Sequence, residues 1–417
     1  MANAHVIENL SRVVTCGAGG PLIGPAMREL GVRTGDPCVA VRDGRVAFVG
    51  ARRDLPADYS NASRVDGKGR VLTPGLVDCH THPAFVRARA EEFAMRLAGA
   101  SYEEIAAQGG GILSSTRAVR GSDDTTLTAQ TTRNLLRLRK HGVFVAEGKS
   151  GYGLNLKDEL RQLHAIKAAG EQADMHTVRT CLAAHSLPAE FRGDDGKRAQ
   201  YLRLVIDEIL PAAARNGLAQ RADVFCEQGV FTEGETRAVA QAAERLGLQV
   251  TIHAEQLHLT GGAAVAAQVG AVSADHLEFI DDAGARAMAD AGTCAVLLPG
   301  STYVLKMDRW ADGRRLIDMG LCVALATDFN PGSSPVANPA FVMNLAVMHC
   351  GFTPEEALAA FTVNAARALR LPAGEYGAIT AGSRAAFALW DVDHEREIAY
   401  YAGSNLCEGL SCPGWRS

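Results

Sequence analysis

Two histidines stand one residue apart in Asp78-Cys79-His80-Thr81-His82, directly after the apolar approach Val71-Leu72-Thr73-Pro74-Gly75-Leu76-Val77. Side chains at i and i+2 of a strand point to the same face, so both imidazoles can reach one metal ion from a single strand end. By itself the pair reads equally well as two surface histidines at the start of a loop. Three further apolar runs end in metal-competent side chains: Val250-Thr251-Ile252 in His253, Ser273-Ala274-Asp275 in His276, and Val323-Ala324-Leu325-Ala326-Thr327 in Asp328. Taken singly, each is more simply a cap or a satisfied core group. Together, three imidazoles and one carboxylate, with water completing the shell, make a catalytic divalent-metal site.

The elements that must bring these residues together are legible from about Pro74 onward, where short β-branched runs alternate with amphipathic helical patterns. Candidate strands are Leu76–His80, Val143–Glu147, Val178–His185, Asp223–Cys226, Gln249–His253, Val272–His276, Cys294–Leu298 and Cys322–Asp328. Helical periods cover Leu156–Ala169, Tyr201–Ala214, Thr232–Leu246 and Asp281–Ala291, and glycines at 142, 170, 217, 247, 292 and 320 suit left-handed caps. Eight such strands predict a (β/α)8 barrel, a fold whose catalytic residues come from the C-terminal ends of several strands. Strands one, five, six and eight of this series carry the candidate residues.

Before residue 70 no long helical period occurs. Val39–Gly50 reads as two β runs joined at Asp43-Gly44, a hairpin signal, and Val65–Arg70 reads as another turn. After the barrel, Thr353–Leu371 reads as one helix, and Gly377–Trp390 and Glu397–Tyr401 return to β character. Neither end has enough strands for a core of its own. The expected architecture is therefore α/β: a barrel over residues 74–371, with a small β-sandwich unit built from residues 1–73 and 372–417.

Composition excludes several classes. The 417 residues carry 42 basic and 47 acidic side chains, a formal charge of −5 without basic clusters, so a nucleic-acid partner is not expected. A 47% hydrophobic and 21% charged composition excludes extended disorder. No apolar run reaches the ~18–20 residues that span a bilayer. Met1–Arg12 contains Glu8 and lacks a basic stretch leading into an apolar core, so it does not read as a secretory leader. Ten cysteines between Cys16 and Cys412, with no CxxC pair, point to a reducing, cytoplasmic setting.

Four segments carry a resemblance. Leu76-Val77-Asp78-Cys79-His80-Thr81-His82, Arg89-Ala90-Glu91-Glu92-Phe93, Lys149-Ser150-Gly151-Tyr152-Gly153-Leu154 and Thr327-Asp328-Phe329-Asn330-Pro331-Gly332-Ser333-Ser334 resemble the amidohydrolase superfamily and, within it, the imidazolonepropionase family. The similarity runs from about residue 37 to residue 390, and the last two segments are more specific than the histidine pair. The resemblance implies one zinc or iron ion on His80, His82, His253 and Asp328, where a divalent cation lowers the pKa of water steeply. It also implies hydrolysis of 4-imidazolone-5-propanoate, a cyclic amide with an acidic tail, to N-formimidoyl-L-glutamate, the third step of histidine degradation. Homodimers are implied in the same way.

Roles then follow position by position. Arg89, which alone would read as a solvated arginine at a helix start, matches the residue that receives the substrate carboxylate, which a guanidinium can bind bidentately. Tyr152, otherwise a tyrosine packed at the barrel mouth, and His185 match further substrate contacts, as do Asn330, Gly332 and Ser333. Asp328 is expected to accept the proton of water, and His276 to polarise the ring carbonyl or steady the tetrahedral intermediate. Some family members carry glutamate where this chain has Gln256. Glutamine cannot shuttle a proton, so Gln256 is assigned to substrate binding and the leaving-nitrogen proton to Asp328. Val86-Arg87 and Ala146-Glu147-Gly148 also depart from the family pattern.

The nearest rivals are a purine or pyrimidine deaminase and a hydantoinase. The deaminase wants a glutamate at position 256, and the two-metal hydrolase usually wants a lysine after the fourth strand, where this chain has Asp223-Val224-Phe225-Cys226-Glu227-Gln228. Glu227 could bridge a second ion, though one metal is the favoured reading. A metal-free scaffold predicts lost ligands, and all four remain. Cys79 reads as a small buried apolar side chain, and Cys407 and Cys412 as exposed.

Overall fold

All eight strands expected for the barrel form, in the expected order. The computed structural model describes residues 4–17, 20–100, 104–105 and 109–416. Of the stretch Met1–Arg12, residues 1–3 thus lie outside the described residues, and the rest belongs to the first strand. The chain opens with β1 (Ala4–Val13), β2 (Pro37–Arg42), β3 (Arg45–Ala51) and β4 (Ser63–Pro74). The barrel follows as β5 (Leu76–Asp78), β6 (Val143–Lys149), β7 (His176–Ala184) and β8 (Arg221–Cys226), then β9 (Gln249–Ala254), β10 (Ser273–His276), β11 (Cys294–Leu297) and β12 (Val323–Leu325). β13 (Ala386–Trp390) and β14 (Cys407–Ser411) end it.

Strands β5 to β12 pair in parallel, each with its neighbour in sequence. The ring closes at its C-terminal end, where Asp328 N donates to His80 O at 3.0 Å and His82 N to Phe329 O at 2.9 Å. Closure itself therefore brings the first and last candidate segments together. Leu76, Ala146, Val224, Ile252, Ala274, Leu297 and Leu325 are buried in one apolar cluster with the surrounding helices. Val77, Val145, Val178, Val296 and Ala324 form a second cluster.

The two chain ends share one six-stranded sheet in the order β14-β13-β4-β1-β2-β3. β1 runs parallel to β4, and the other pairs are antiparallel. Asp43 and Gly44 turn the β2–β3 hairpin with φ of 50° and 75°, the two positive angles of a type I′ turn. A Cβ at Gly44 would also lie 2.2 Å from the Gly414 carbonyl carbon, so the hairpin tip is also where the C-terminal segment packs.

Several local expectations are corrected. Val65–Arg70 does not turn: it stays within β4, where Lys68 and Gly69 at φ 57° and 70° form a bulge and the pairing with β1 shifts register. Glu397–Tyr401 is not β: Glu397–Tyr400 is one helical turn with Ile398 and Ala399 buried, the usual ambiguity of a short apolar run. The helix expected over Thr353–Leu371 is two, Pro354–Ala360 and Val363–Ala368. It breaks at Thr362 (φ −124°, ψ −101°) beside Phe361, whose carbonyl leaves the helical ladder to accept Val77 N at 2.9 Å from the first barrel strand. The helix expected over Tyr201–Ala214 starts at Asp195 and widens into a π-helical segment over Leu204–Ile209. Pro211 causes this, since its ring clashes with the carbonyl four residues back and it has no N–H to donate. Gly170 caps nothing, lying inside the helix Leu156–Gln172, where a Cβ would come within 2.7 Å of Thr177. All ten cysteines are free, and Cys412 is buried and Cys407 half-buried rather than exposed.

Candidate metal-dependent active site

His80 and His82 follow β5, His253 sits near the end of β9, His276 ends β10 and Asp328 follows β12. His80, His82 and His253 each offer a ligand atom, and these atoms lie within 4.8 Å of one another. His80 Nε2 is 3.2 Å from His82 Nε2. Asp328 Oδ1 lies 3.4 Å from His82 Nε2 and 3.6 Å from His80 Nε2. Burial holds the His80, His82, His185 and His276 imidazoles well below their ordinary range, so they stand neutral with lone pairs available. Asp328 and His276 adopt positive φ, 52° and 85°, a strained backbone that aims both side chains from the strand ends.

This donor set fits a divalent cation. His80 Nδ1 is bonded to Asp275 Oδ2 at 2.6 Å, which places the proton on Nδ1 and leaves Nε2 as a lone pair. That lone pair lies beside another imidazole nitrogen and a carboxylate oxygen, three ligand-competent atoms that one cation can draw together. Glu227 stands apart from the cluster. Its carboxylate accepts from Leu257 N at 2.8 Å and Gln228 N at 2.8 Å and pairs with His258 Nδ1 at 3.0 Å, so it fastens two loops together.

A layer of buried charge lies under the cluster. Lys149 Nζ is 2.7 Å from Asp223 Oδ2 and 2.8 Å from Glu147 Oε2. His253 Nδ1 lies 2.9 Å from Asp223 Oδ2 but off the hydrogen-bond line. Burial would raise the Asp223 carboxyl, yet His253 and Lys149 outweigh it and hold it well below the usual carboxylate range. Burial likewise opposes the Lys149 charge, and Asp223, Glu147 and Asp275 keep it above its ordinary value. Burial raises the Asp275 carboxyl, and Lys149 opposes that rise. The sequence alone assigned no role to Lys149, Glu147, Asp223 or Asp275. The available signal was Glu147 and Lys149 at i and i+2 in an otherwise apolar strand, and Asp223 inside another.

Above the cluster opens a small cavity of about 40 Å³. The expected residues His82, Arg89, Tyr152, His185, His253, Gln256, His276, Asp328, Asn330 and Ser333 line it. His80 lies beneath them, wholly buried. Phe225, Ile112, Leu257 and Leu305 complete the wall and had not been anticipated, because isolated apolar residues in loops carry no pattern. His185 stacks on His82 with ring centroids 5.2 Å apart and points Nδ1 at Gly151 O, 3.0 Å away. Gly151, at φ 103°, has no room for a Cβ beside that nitrogen.

Gly332 does not itself line the cavity; it forms the seat of Arg89. A Cβ there would fall 1.7 Å from Arg89 Nη2. The Arg89 Nε and Nη1 groups are buried without a hydrogen-bond partner, Glu92 Oε2 being 3.8 Å from Nε. A buried guanidinium short of acceptors at a cavity wall is a receptor for an anion. Asn330 is largely occupied within its own loop: its Oδ1 accepts from Gly332 N and Ser333 N, both at 2.8 Å, and its Nδ2 donates to Asp328 O at 2.7 Å and Ser333 Oγ at 2.8 Å.

Residues 71–413 match the amidohydrolase family. The imidazolonepropionase of Cupriavidus pinatubonensis is 48% identical over 370 residues, covering 89% of this chain and 86% of that protein. That of a Geobacillus species is 42% identical over 406 residues, covering 96% and 94%. Among solved structures, an adenosine deaminase from Xanthomonas campestris with bound zinc superposes with a TM-score of 0.72 at 17% identity, covering 98% of this chain and 92% of that one. A 5-methylcytosine deaminase from Klebsiella pneumoniae gives 0.73 at 16% identity, covering 98% and 96%. At such identities the two deaminases speak for the fold alone. The sequence relatives reach further: the chain belongs to the amidohydrolase family and, within it, to the imidazolonepropionases.

Proposed function

We propose that the protein hydrolyses the ring amide of 4-imidazolone-5-propanoate to N-formimidoyl-L-glutamate, the third step of histidine degradation. The observation that carries this reading is Arg89, a buried guanidinium lacking acceptors on the wall of a cavity whose floor is the histidine cluster. The substrate's acidic tail would supply the missing acceptors and so direct its ring toward the floor. We assign the chemistry to residues 74–371 and the β unit to residues 1–73 and 372–417.

His80, His82, His253 and Asp328 would hold one zinc or iron ion, a donor set that suits both. When bound, the cation supplies Lewis acidity and lowers the pKa of water toward neutrality. The remaining roles belong to the chain. Arg89 receives the propanoate carboxylate, and Tyr152, His185, Gln256 and Ser333 border the ring. Asp328, placed between the histidine cluster and the cavity, would take a proton from water and return it to the departing ring nitrogen. His276, whose Nδ1 has no hydrogen-bond partner, faces the cavity and steadies the oxygen of the ring carbonyl as charge builds on it. Gln256 binds without shuttling protons, which disfavours a deaminase that needs an acid there. A cytoplasmic setting fits the same reading, since ten free thiols suit a reducing compartment, and the resemblance to the family implies a homodimer. Among the described residues no helix is long and apolar enough to cross a membrane.

The test follows the loss of imidazolone ultraviolet absorbance with purified, metal-loaded protein, with guanine and hydantoin as controls. Turnover of imidazolonepropanoate alone is expected. A His276→Ala protein that retains its metal should run about 10²- to 10³-fold slower, the usual cost of one such donor. Inert imidazolonepropanoate, or faster turnover of either control, overturns the reading.

A further inference from the structure

Lys149 Nζ lies inside the barrel with no solvent exposure, 2.7 Å from Asp223 Oδ2, 2.8 Å from Glu147 Oε2 and 3.8 Å from Asp275 Oδ2. Thr251 Oγ1 is 3.4 Å away. Two of these oxygens have a second neighbour: Asp223 Oδ2 is 2.9 Å from His253 Nδ1, and Asp275 Oδ2 is 2.6 Å from His80 Nδ1. One ammonium on β6 therefore reaches both carboxylates that stand behind two of the clustered histidines, and those histidines come from different sides of the barrel. Glu147 differs, for its other contacts are Thr180 Oγ1 at 2.5 Å and Arg221 Nη1 at 4.0 Å.

We propose that Lys149 is a positioning residue, which fixes Asp223 and Asp275 and through them the rings of His253 and His80 toward a bound metal. Two buried carboxylates without a shared counter-ion repel each other and turn away, whereas the ammonium hydrogen-bonds Asp223 directly and attracts Asp275 across 3.8 Å. The ring orientation of a ligand histidine is set by the partner of its other nitrogen, and loss of such a partner costs 10- to 100-fold in metal affinity. The proposal rests on the metal reading of the histidine cluster and is independent of the substrate.

The experiment measures metal release from purified holoenzyme to a chromogenic pyridylazo chelator for wild type, Lys149→Met and the double variant Glu147→Gln/Lys149→Met. The double variant keeps the buried network at its native net charge without restoring the clasp. Both variants are expected to release metal about 10- to 100-fold faster than wild type, with the KM of the loaded enzymes unchanged because Arg89 is untouched. Wild-type release from Lys149→Met overturns the proposal. So does wild-type release from the double variant, since the lysine would then serve only charge balance. If neither lysine variant folds, Asp223→Asn decides: fast release upholds the route through Asp223, and wild-type release removes it. A wild-type protein that holds no metal overturns this inference together with the metal reading, whereas bound metal with unchanged release overturns this inference alone.

Discussion

Arg89 can face the cavity only because residue 332 has no side chain, a Cβ there falling 1.7 Å from Nη2. The TDFNPGSS segment marks Gly332 as a candidate substrate contact, and the structure packs its backbone against the Arg89 guanidinium. Gly332→Ala should therefore push the guanidinium off its seat and weaken substrate binding. A charge-assisted hydrogen bond contributes roughly 1.5–3 kcal/mol, so KM should rise about 10- to 100-fold with kcat changed much less. Steady-state kinetics of the alanine protein check this, and an unaltered KM would place the substrate carboxylate elsewhere. Asn330 makes a similar point. Its side chain was legible as part of a binding motif, but its bonds run within residues 328–334, and only the folded loop reveals that.

At the scale of elements, the helix Pro354–Ala360 opens with a capping box in which Thr353 and Glu356 satisfy each other's backbone N–H groups. The sequence Thr-Pro-Glu-Glu announced that start. It did not announce that Glu356 would also take Arg314 at 2.8 Å and Arg28 at 2.9 Å, tying a helix behind the barrel to the N-terminal segment. Burial opposes the Glu356 charge, but Arg314, the Thr353 N–H and Arg28 outweigh it and lower its pKa from the ordinary 4.5. A carboxyl depressed on folding stabilises above its unfolded pKa, and that stability is lost as pH falls through the folded value. Glu356→Gln should cost roughly 2 kcal/mol at pH 7, combining a weakened cap with lost charge-assisted bonds. The gap from wild type should narrow below about pH 4. Urea unfolding across pH checks both statements, and a gap that widens in acid would contradict the sign.

For the whole molecule, the clustered histidines and Asp328 come from the segment after β5, from β9 and from the segment after β12, so an ion held among them joins distant parts of one closed ring. A ligand present at about 1,000 times its dissociation constant adds roughly 4 kcal/mol to the folded state. In a domain this large, that corresponds to several degrees in Tm. Chelation should lower the main calorimetric transition by that amount, and returning zinc or iron should restore it. An unshifted transition in protein shown to have lost its metal would mean that the ion adds little to the barrel's stability.

What the sequence determined was the alternation of strands and helices, the hairpin at Asp43-Gly44, the strand-end histidines and the motifs that carry the resemblance, because each rests on spacing within a few residues. It misjudged Thr353–Leu371, where Phe361 gives its carbonyl to Val77, and Glu397–Tyr401, where a short apolar run is compatible with either element. The buried charges are the clearest case of what tertiary structure alone decided. Glu147 and Lys149 alternate on one strand, but nothing local says that Asp223 and Asp275, 74 and 126 residues beyond the lysine, meet it inside the ring. Such pairings depend on which strand faces which across a closed barrel. That is a property of shear and closure, which no segment of the chain contains.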